Sequence, residues 1–291
     1  MAILIDGDTK VICQGFTGKQ ASYHMERAIA YGTQVVGGVV PGKGGRRHLG
    51  LPVFDSVVEA VTETGATASA VFVPPDSAAD ALIEAIDAEL PLVVCVTERI
   101  PVLDMVRVKQ RLAGSETRLI GPNSQGILNP GRCKIGVMPA HLERPGGVGV
   151  VSRSASLTSE VIEQISEQRL GQSTSIGIGG DPVHGMGFVD CLELFFADPD
   201  TDCVVLLGEI GGDDEEQAAD YLRKTKPSKP VIGYVAGLYA PTQRRMGHAG
   251  TVNVFGQGGA ADKMEALRGA GVTIAASAAE IGQTVRQTLR S

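Results

Sequence analysis

Two successive α/β domains, each built on a parallel sheet, are what this chain predicts, and three observations carry that expectation. Short apolar runs alternate with amphipathic helical stretches along the whole length. Glycine is abundant, at 38 of 291 residues, and clusters where those runs end. That placement supplies the tight strand-to-helix turns of a doubly wound sheet with crossover helices. The length accommodates roughly two domains of ~150 residues each.

In the first half, Val11–Gly15 reads as a buried strand, followed by the turn Phe16–Gln20 and a helix through Ala30. A second strand, Gln34–Val40, ends in the loop Pro41–Arg47. Helix Ser56–Thr64, strand Ala70–Val73 and helix Asp76–Ala88 come next, then strand Leu92–Val96, helix Val102–Leu112 and strand Arg118–Ile120. Together they predict a Rossmann-like domain over residues 1–125, with ligands at the carboxyl ends of its strands. Val73-Pro74-Pro75, Val96-Thr97-Glu98 and Gly121-Pro122-Asn123 line that edge. Proline disfavours helix in the residue before it, so the proline-bearing ends stay open as loops. Residues 126–145 hold Pro130, Pro139 and Pro145 without helical periodicity and read as an interdomain connection.

The first turn carries a binding argument. Gly15 and Gly18 let backbone approach a ligand, and the helix start at residues 17–20 offers free N–H groups to a pyrophosphate. The spacing is Gly-x-x-Gly rather than the Gly-x-Gly-x-x-Gly of a nicotinamide dinucleotide site. The second strand leads into Lys43 where such a site places an acid for the ribose. Lys43, Arg46 and Arg47 suit a nucleotide with an extra phosphate, NADP or coenzyme A. Tight packing alone would also explain the glycines.

The second half, residues 146–291, predicts a flavodoxin-like parallel α/β domain. Its first strand, from Val148, breaks into Ser152-Arg153-Ser154-Ala155-Ser156, and a helix covers Leu157–Gln168. Strand Thr174–Ile178, helix Phe188–Phe196, strand Cys203–Leu207 and helix Glu215–Lys224 follow. Strand Val231–Val235, helix Ala260–Gly269, strand Val272–Ala275 and helix Ala278–Leu289 complete it. The helix start at Ser154, Ala155 and Ser156 suits a phosphate, although serines there also serve as plain caps. The glycines of a Gly-x-Ser-x-Gly nucleophile elbow are missing, which excludes a serine hydrolase of that type.

The chemistry converges on Arg244-Arg245-Met246-Gly247-His248-Ala249-Gly250. One imidazole between glycines, downstream of two arginines, suits a histidine that accepts a phosphoryl group, because a neutral ring nitrogen is a competent nucleophile. Glu209, at the end of a strand in the same half, is placed to orient an imidazole and fix its tautomer. Its alternative is a solvated turn glutamate.

A net charge of -7 without a basic stripe argues against nucleic acid as a partner. The five cysteines are widely spaced and form no Cys-x-x-Cys pair, as expected of buried thiols in a reducing compartment. The amino terminus lacks the basic region and apolar core of a secretion signal, and no run reaches the ~18 apolar residues of a membrane span. A cytoplasmic protein without a membrane partner is expected. The histidines do not form metal-ligand spacings, and no Gly-x4-Gly-Lys-[Ser/Thr] loop is present. A phosphorylatable histidine without its own triphosphate loop implies a partner subunit.

Gln14–Gly18, Val36–Gly45, Gly121–Asn123, Val151–Ser154, Gly177–Pro182, Gly208–Gly212 and Arg245–Gly250 together resemble the α subunit of succinyl-CoA synthetase, over essentially the whole chain. The resemblance implies a nucleoside-diphosphate-forming acid–CoA ligase whose β subunit, with an ATP-grasp fold, binds ATP or GTP with Mg2+ in an αβ or α2β2 assembly. It implies His248 as the phosphorylated residue and Glu209 as its orienting partner. Thr17, Gly18, Lys19, Gln20, Lys43, Val96, Thr97 and Glu98 would contact CoA, beside Gly15, Val73, Pro74 and Asn123 of the same edge. The helix beginning near Ser154 would face the phosphohistidine.

The chain departs from the family at informative places. Ser124 and Gln125 stand where the family usually has Cys-Pro, and Ser159 stands where its tyrosine contacts the acid. His184 lies in the Gly-Gly-Asp-Pro loop, where a neutral residue is common. Ser124 and Ser159 are therefore expected at a larger, more hydrophilic acid site, suited to a di- or tricarboxylate such as malate or citrate as well as succinate. A citrate-specific ligase subunit and a non-catalytic CoA-binding module are the alternatives. A citrate lyase would need a further citrate-synthase-like domain, and a mere binder has no use for His248 with Glu209.

Overall fold

A computed structural model describes residues 3–241, 246–248, 250–251 and 258–290. The chain folds as two compact units, one of Leu4–Met138 with Val183–Gly185, the other of Met1–Ile3, Pro139–Pro182 and Met186–Ser291.

In the first unit β1 (Lys10–Gln14) leads into α1 (Lys19–Tyr31), β2 (Gln34–Val39), β3 (Arg47–His48) and β4 (Leu51–Phe54). Then come α2 (Val57–Thr64), β5 (Ala68–Val71), α3 (Pro75–Asp87), β6 (Leu92–Cys95), α4 (Val102–Leu112) and β7 (Arg118–Ile120). The sheet order is β3-β4-β2-β1-β5-β6-β7, parallel except for β3 against β4. Val11, Ile12 and Cys13 are fully buried because helices cover both faces of the sheet. On α1, Ala21, Met25 and Ala28 recur at helical spacing on the buried face, and Gly32 ends the helix in the left-handed region (φ 103°). The chain leaves β1 for β2 on one side and later returns to β5 on the other, so a crevice opens between the carboxyl ends of β1 and β5.

Sequence patterning missed four strands. β3 and β4 fall in a basic, proline-containing stretch, yet β4 pairs with β2 through Val53 and Phe54, both buried. β8 (Gly126–Asn129) and β9 (Cys133–Gly136) form an antiparallel hairpin within the stretch read as a connection. Gly126 (φ 106°) and Gly136 (φ 113°) sit opposite each other there, and a Cβ on Gly126 would lie 2.0 Å from the Ile135 carbonyl oxygen.

The second unit runs β10 (Pro145–Ser152), α5 (Ala155–Glu167), β11 (Gln172–Gly177), α6 (Phe188–Ala197), β12 (Cys203–Glu209) and α7 (Asp214–Thr225). It continues with β13 (Val231–Ala236), α8 (Ala260–Arg268), β14 (Thr273–Ile274), a 3-10 turn (Ala278–Glu280) and α9 (Ile281–Thr288). Its strands lie in the order β14-β13-β12-β10-β11, all parallel. The order reverses between β10 and β12, so the segments after those strands flank the second crevice. α7 opens with Asp214, Glu215 and Glu216 and ends with Arg223 and Lys224, complementing the helix dipole at both ends.

Glu143, in the loop before β10, is a cost built into this unit. Ser175 donates to its Oε2 at 3.0 Å, while Oε1 has no partner among the described residues. Burial raises its pKa from 4.5 to about 8, against the smaller opposing effect of the Ser175 bond. A carboxyl raised on folding leaves the fold stable below the unfolded pKa and weakens it as pH climbs towards 8. The loss is about 1.4 kcal/mol per pH unit, up to about 5 kcal/mol in all. Thermal melts of Glu143→Gln should therefore show a flatter profile between pH 5 and 8, with the variant more stable than the parent at pH 8.

Candidate functional site

In the second unit β12 extends two residues beyond the strand expected from its apolar run, and Glu209 is its last residue. The carboxylate is therefore 9% exposed rather than solvated. It faces His248, whose Nδ1 lies 2.9 Å from Oε1 and 3.0 Å from Oε2. A carboxylate only accepts, so Nδ1 carries a proton, and in the neutral ring Nε2 keeps its lone pair. The His248 side chain is 30% exposed. Its pKa is raised, first by the hydrogen bond to Glu209; burial opposes this, the Glu209 charge adds to it, Arg153 lowers it and Asp181 raises it.

Backbone geometry seats the ring. An alanine Cβ at Gly180, in the turn after β11, would lie 2.1 Å from His248 Nδ1, so only glycine leaves room. Thr251 fixes the following turn: its N–H donates to the His248 carbonyl at 3.2 Å, and its hydroxyl lies 2.7 Å from the same oxygen. Met246 N–H donates back to the Thr251 carbonyl at 3.0 Å. Arg244, Arg245 and Ala249, which completed the sequence motif, lie outside the described residues.

The start of α5 stands at the same sheet edge, because β10 delivers it beside β12. Ser154 caps the helix by accepting from Leu157 N–H at 3.4 Å, while Ala155 and Ser156 are exposed in the first turn. Their N–H groups have no intrahelical acceptor, an arrangement that suits an anion at a helix start. No hydrogen bond among the described residues joins Ser154, Ala155 or Ser156 to the His248 ring. Ser159, one turn on, is half-buried and donates to the Ala155 carbonyl at 3.3 Å.

In the first unit the expected nucleotide residues gather at the crevice beside β1. Gly15 (φ 82°) passes so close to β5 that a Cβ would lie 3.1 Å from Phe72 backbone. Gly18, Lys19 and Gln20 are exposed at the start of α1. Lys43 reaches across from the loop after β2, and its Nζ donates to Thr17 Oγ1 at 2.7 Å. Val73, Thr97 and Asn123 are drawn together: Thr97 Oγ1 donates to the Val73 carbonyl at 2.7 Å, and Asn123 N–H to the Thr97 carbonyl at 2.9 Å. Pro74 and Glu98 are exposed beside them, and Val96 is half-buried. Ser124 is buried, its hydroxyl accepting Gly126 N–H at 2.8 Å.

Several supporting residues escaped the sequence reading. Asp55 anchors the basic loop by accepting Gly44 N–H at 2.8 Å, and His48 Nε2 lies 2.7 Å from Ser22 Oγ, beside the first turn. Arg153, Glu215 and Lys263 form a buried charged group behind Glu209. Arg153 was visible inside its motif without a role, whereas Lys263 carries no signal that separates it from a surface lysine. The described residues hold no His, Cys, Asp or Glu cluster suited to a metal, and no helix among them is long and apolar enough to cross a membrane.

The family model for the CoA binding domain matches residues 6–99, and that for CoA-ligase matches residues 151–273. The chain is 51% identical over 292 aligned residues to the succinate–CoA ligase [ADP-forming] subunit alpha of Aquifex aeolicus, covering 100% of this chain and 95% of that protein. It is 50% identical to the subunit of the same name from Staphylococcus aureus (strain Mu50), covering 98% of this chain and 94% of that one. Among solved structures, the ATP citrate lyase of Methanothrix soehngenii superposes with a TM-score of 0.89 at 24% identity, over 99% of this chain and 50% of that one. A dinucleotide-forming acetyl-coenzyme A synthetase from Ca. Korarchaeum cryptofilum gives 0.76 at 18% identity, over 95% of this chain and 60% of that one. The chain thus spans about half the length of those two solved chains, and at these identities the likeness is one of fold.

Proposed function

This chain belongs to the succinate–CoA ligase α-subunit family, and on that premise we propose that it joins a di- or tricarboxylic acid to coenzyme A through a phosphohistidine at position 248. In this reading residues 1–125 bind CoA and 146–291 carry phosphoryl transfer. The family matches to residues 6–99 and 151–273 fall within those two segments. The observation that carries the proposal is the paired contact of His248 Nδ1 with both oxygens of Glu209, at 2.9 and 3.0 Å.

Nε2 attacks the γ-phosphorus of a nucleoside triphosphate, ATP or GTP, held with Mg2+ by a β subunit of ATP-grasp fold. The bond to the bridging oxygen breaks and the nucleoside diphosphate leaves. Glu209 stabilises the positive charge that develops on the ring. The helix end at Ser154, Ala155 and Ser156 supplies N–H groups for the phosphoryl oxygens. A substrate carboxylate then takes the phosphoryl group as an acyl phosphate, and CoA thiolate attacks its carbonyl carbon, releasing phosphate. CoA is held by the glycine turn at Gly15 and Gly18, by Thr17, Lys19, Gln20 and Lys43, and by the edge formed by Val73, Pro74, Val96, Thr97, Glu98 and Asn123. The buried thiols of the described cysteines fit a reducing, cytoplasmic setting.

Ser159 sets the acid. A small hydroxyl where the family carries a phenol leaves room and polarity for a hydroxylated or bulkier acid. Acyl-CoA formation by the complex with its native β subunit, compared across succinate, malate, itaconate and citrate, tests this. Malate or citrate turnover at least equal to that of succinate is expected; a clear preference for succinate ends the specificity proposal and leaves the ligase reading standing. Acyl-CoA formation from none of the acids would favour the non-catalytic CoA-binding module instead.

A further inference from the structure

Behind Glu209 the buried charges alternate in sign. Arg153 follows β10 with its side chain 3% exposed, and its Nε lies 3.6 Å from Glu209 Oε1. One terminal nitrogen of its guanidinium donates to the Gly211 carbonyl at 3.0 Å and approaches Glu215 at 3.3 Å and Asp214 at 3.7 Å. Glu215 is fully buried and accepts Glu209 N–H at 3.0 Å on Oε1, while its Oε2 meets Lys263 Nζ at 2.5 Å. Lys263, also fully buried, donates to the Gly212 carbonyl at 2.9 Å and to Glu216 Oε2 at 2.8 Å. From His248 inward the order is Glu209, Arg153, Glu215 and Lys263, with the partly exposed Glu216 closing the series on the outside.

Ion pairs this deep carry a large desolvation cost and are weak evidence of stability for its own sake. Their arrangement has a specific consequence here. Arg153 spends its short hydrogen bonds on Gly211 and Glu215, so both Glu209 oxygens remain within 3.0 Å of Nδ1. Its positive charge nevertheless stands beside Glu209 and disfavours an imidazolium at His248. A planar guanidinium meets these partners together, as an ammonium cannot.

The geometry points to Arg153, braced by Glu215 and Lys263, as a positioning residue that aligns Glu209 with Nδ1 and sets the pH range in which Nε2 is an unprotonated nucleophile. This rests on His248 being the phosphorylated group. The described charges facing the ring are Glu209 from β12, Arg153 from the segment after β10 and Asp181 from the turn after β11; Asp214, Glu215 and Lys263 act through Arg153.

The test is single-turnover phosphorylation of the αβ complex by nucleoside triphosphate between pH 5.5 and 9, for the parent, Arg153→Gln and Arg153→Lys, with CoA binding and melting temperature measured alongside. Arg153→Gln should phosphorylate about 10- to 100-fold more slowly at pH 7, with the midpoint of its pH–rate profile moved up by about one unit. Arg153→Lys should keep the parent midpoint and lose about 3- to 30-fold in rate. CoA binding should be unchanged in both. An unmoved midpoint in a folded Arg153→Gln overturns the inference whatever its rate. Where Arg153→Gln does not fold, an Arg153→Lys rate within about two-fold of the parent overturns it. Absence of acid-labile phosphoenzyme in the parent would instead mean that the histidine reading has failed.

Discussion

Replacing His248 with asparagine is expected to abolish phosphoenzyme formation and lower acyl-CoA synthesis at least about 10³-fold, while CoA affinity stays within about two-fold. Asparagine suits the test because its amide can still donate to Glu209 from nearly the position of Nδ1. The buried carboxylate therefore keeps a partner, and only the second ring nitrogen is lost. A structural role for His248 would leave turnover largely intact in that variant. The residues proposed to hold CoA belong to the other compact unit, so a binding loss of similar size would point to unfolding rather than missing chemistry. Assays of turnover, phosphoenzyme and CoA binding on one preparation separate these outcomes.

Gly180→Ala should come close to reproducing that loss although position 180 contributes no side chain. A Cβ there would stand 2.1 Å from Nδ1, 2.3 Å from Cγ and 2.8 Å from the Cβ of His248. The ring must leave its seat, and its contact with Glu209 goes with it. Displacements of about 1 Å can cost about 10²-fold when a nucleophile must be aligned, and a phosphorylation defect of that size or larger is expected. Gly180 lies outside the left-handed region, so alanine strains the site through contact alone. Native-like melting with lost phosphorylation would locate the defect at the ring. Unimpaired phosphorylation would show that the seat is not required.

Much of this was legible in the sequence because the signals were local. Alternating apolar runs and helical periodicity gave both parallel sheets, since a strand buried on two faces must be apolar throughout. His248 and Glu209 were legible because each follows or ends such a run, and strand ends in doubly wound sheets face ligands. The failures came from long-range effects. β8 and β9 depend on two glycines approaching across a hairpin, and β4 contains Pro52. Glu209 belongs to its strand because register with Ala236 on β13 carries β12 two residues past its apolar core. Lys263 has the spacing of an ordinary helix residue, and only folding shows that its ammonium is enclosed by Gly212, Glu215 and Glu216.

The most direct measurement is to incubate the complex of this chain and its β subunit with γ-labelled nucleoside triphosphate and to map the label. The account predicts base-stable, acid-labile label confined to the peptide containing His248 and discharged by acid substrate with CoA. Acid-stable label, label on another residue, or acyl-CoA synthesis without any labelled protein would contradict it.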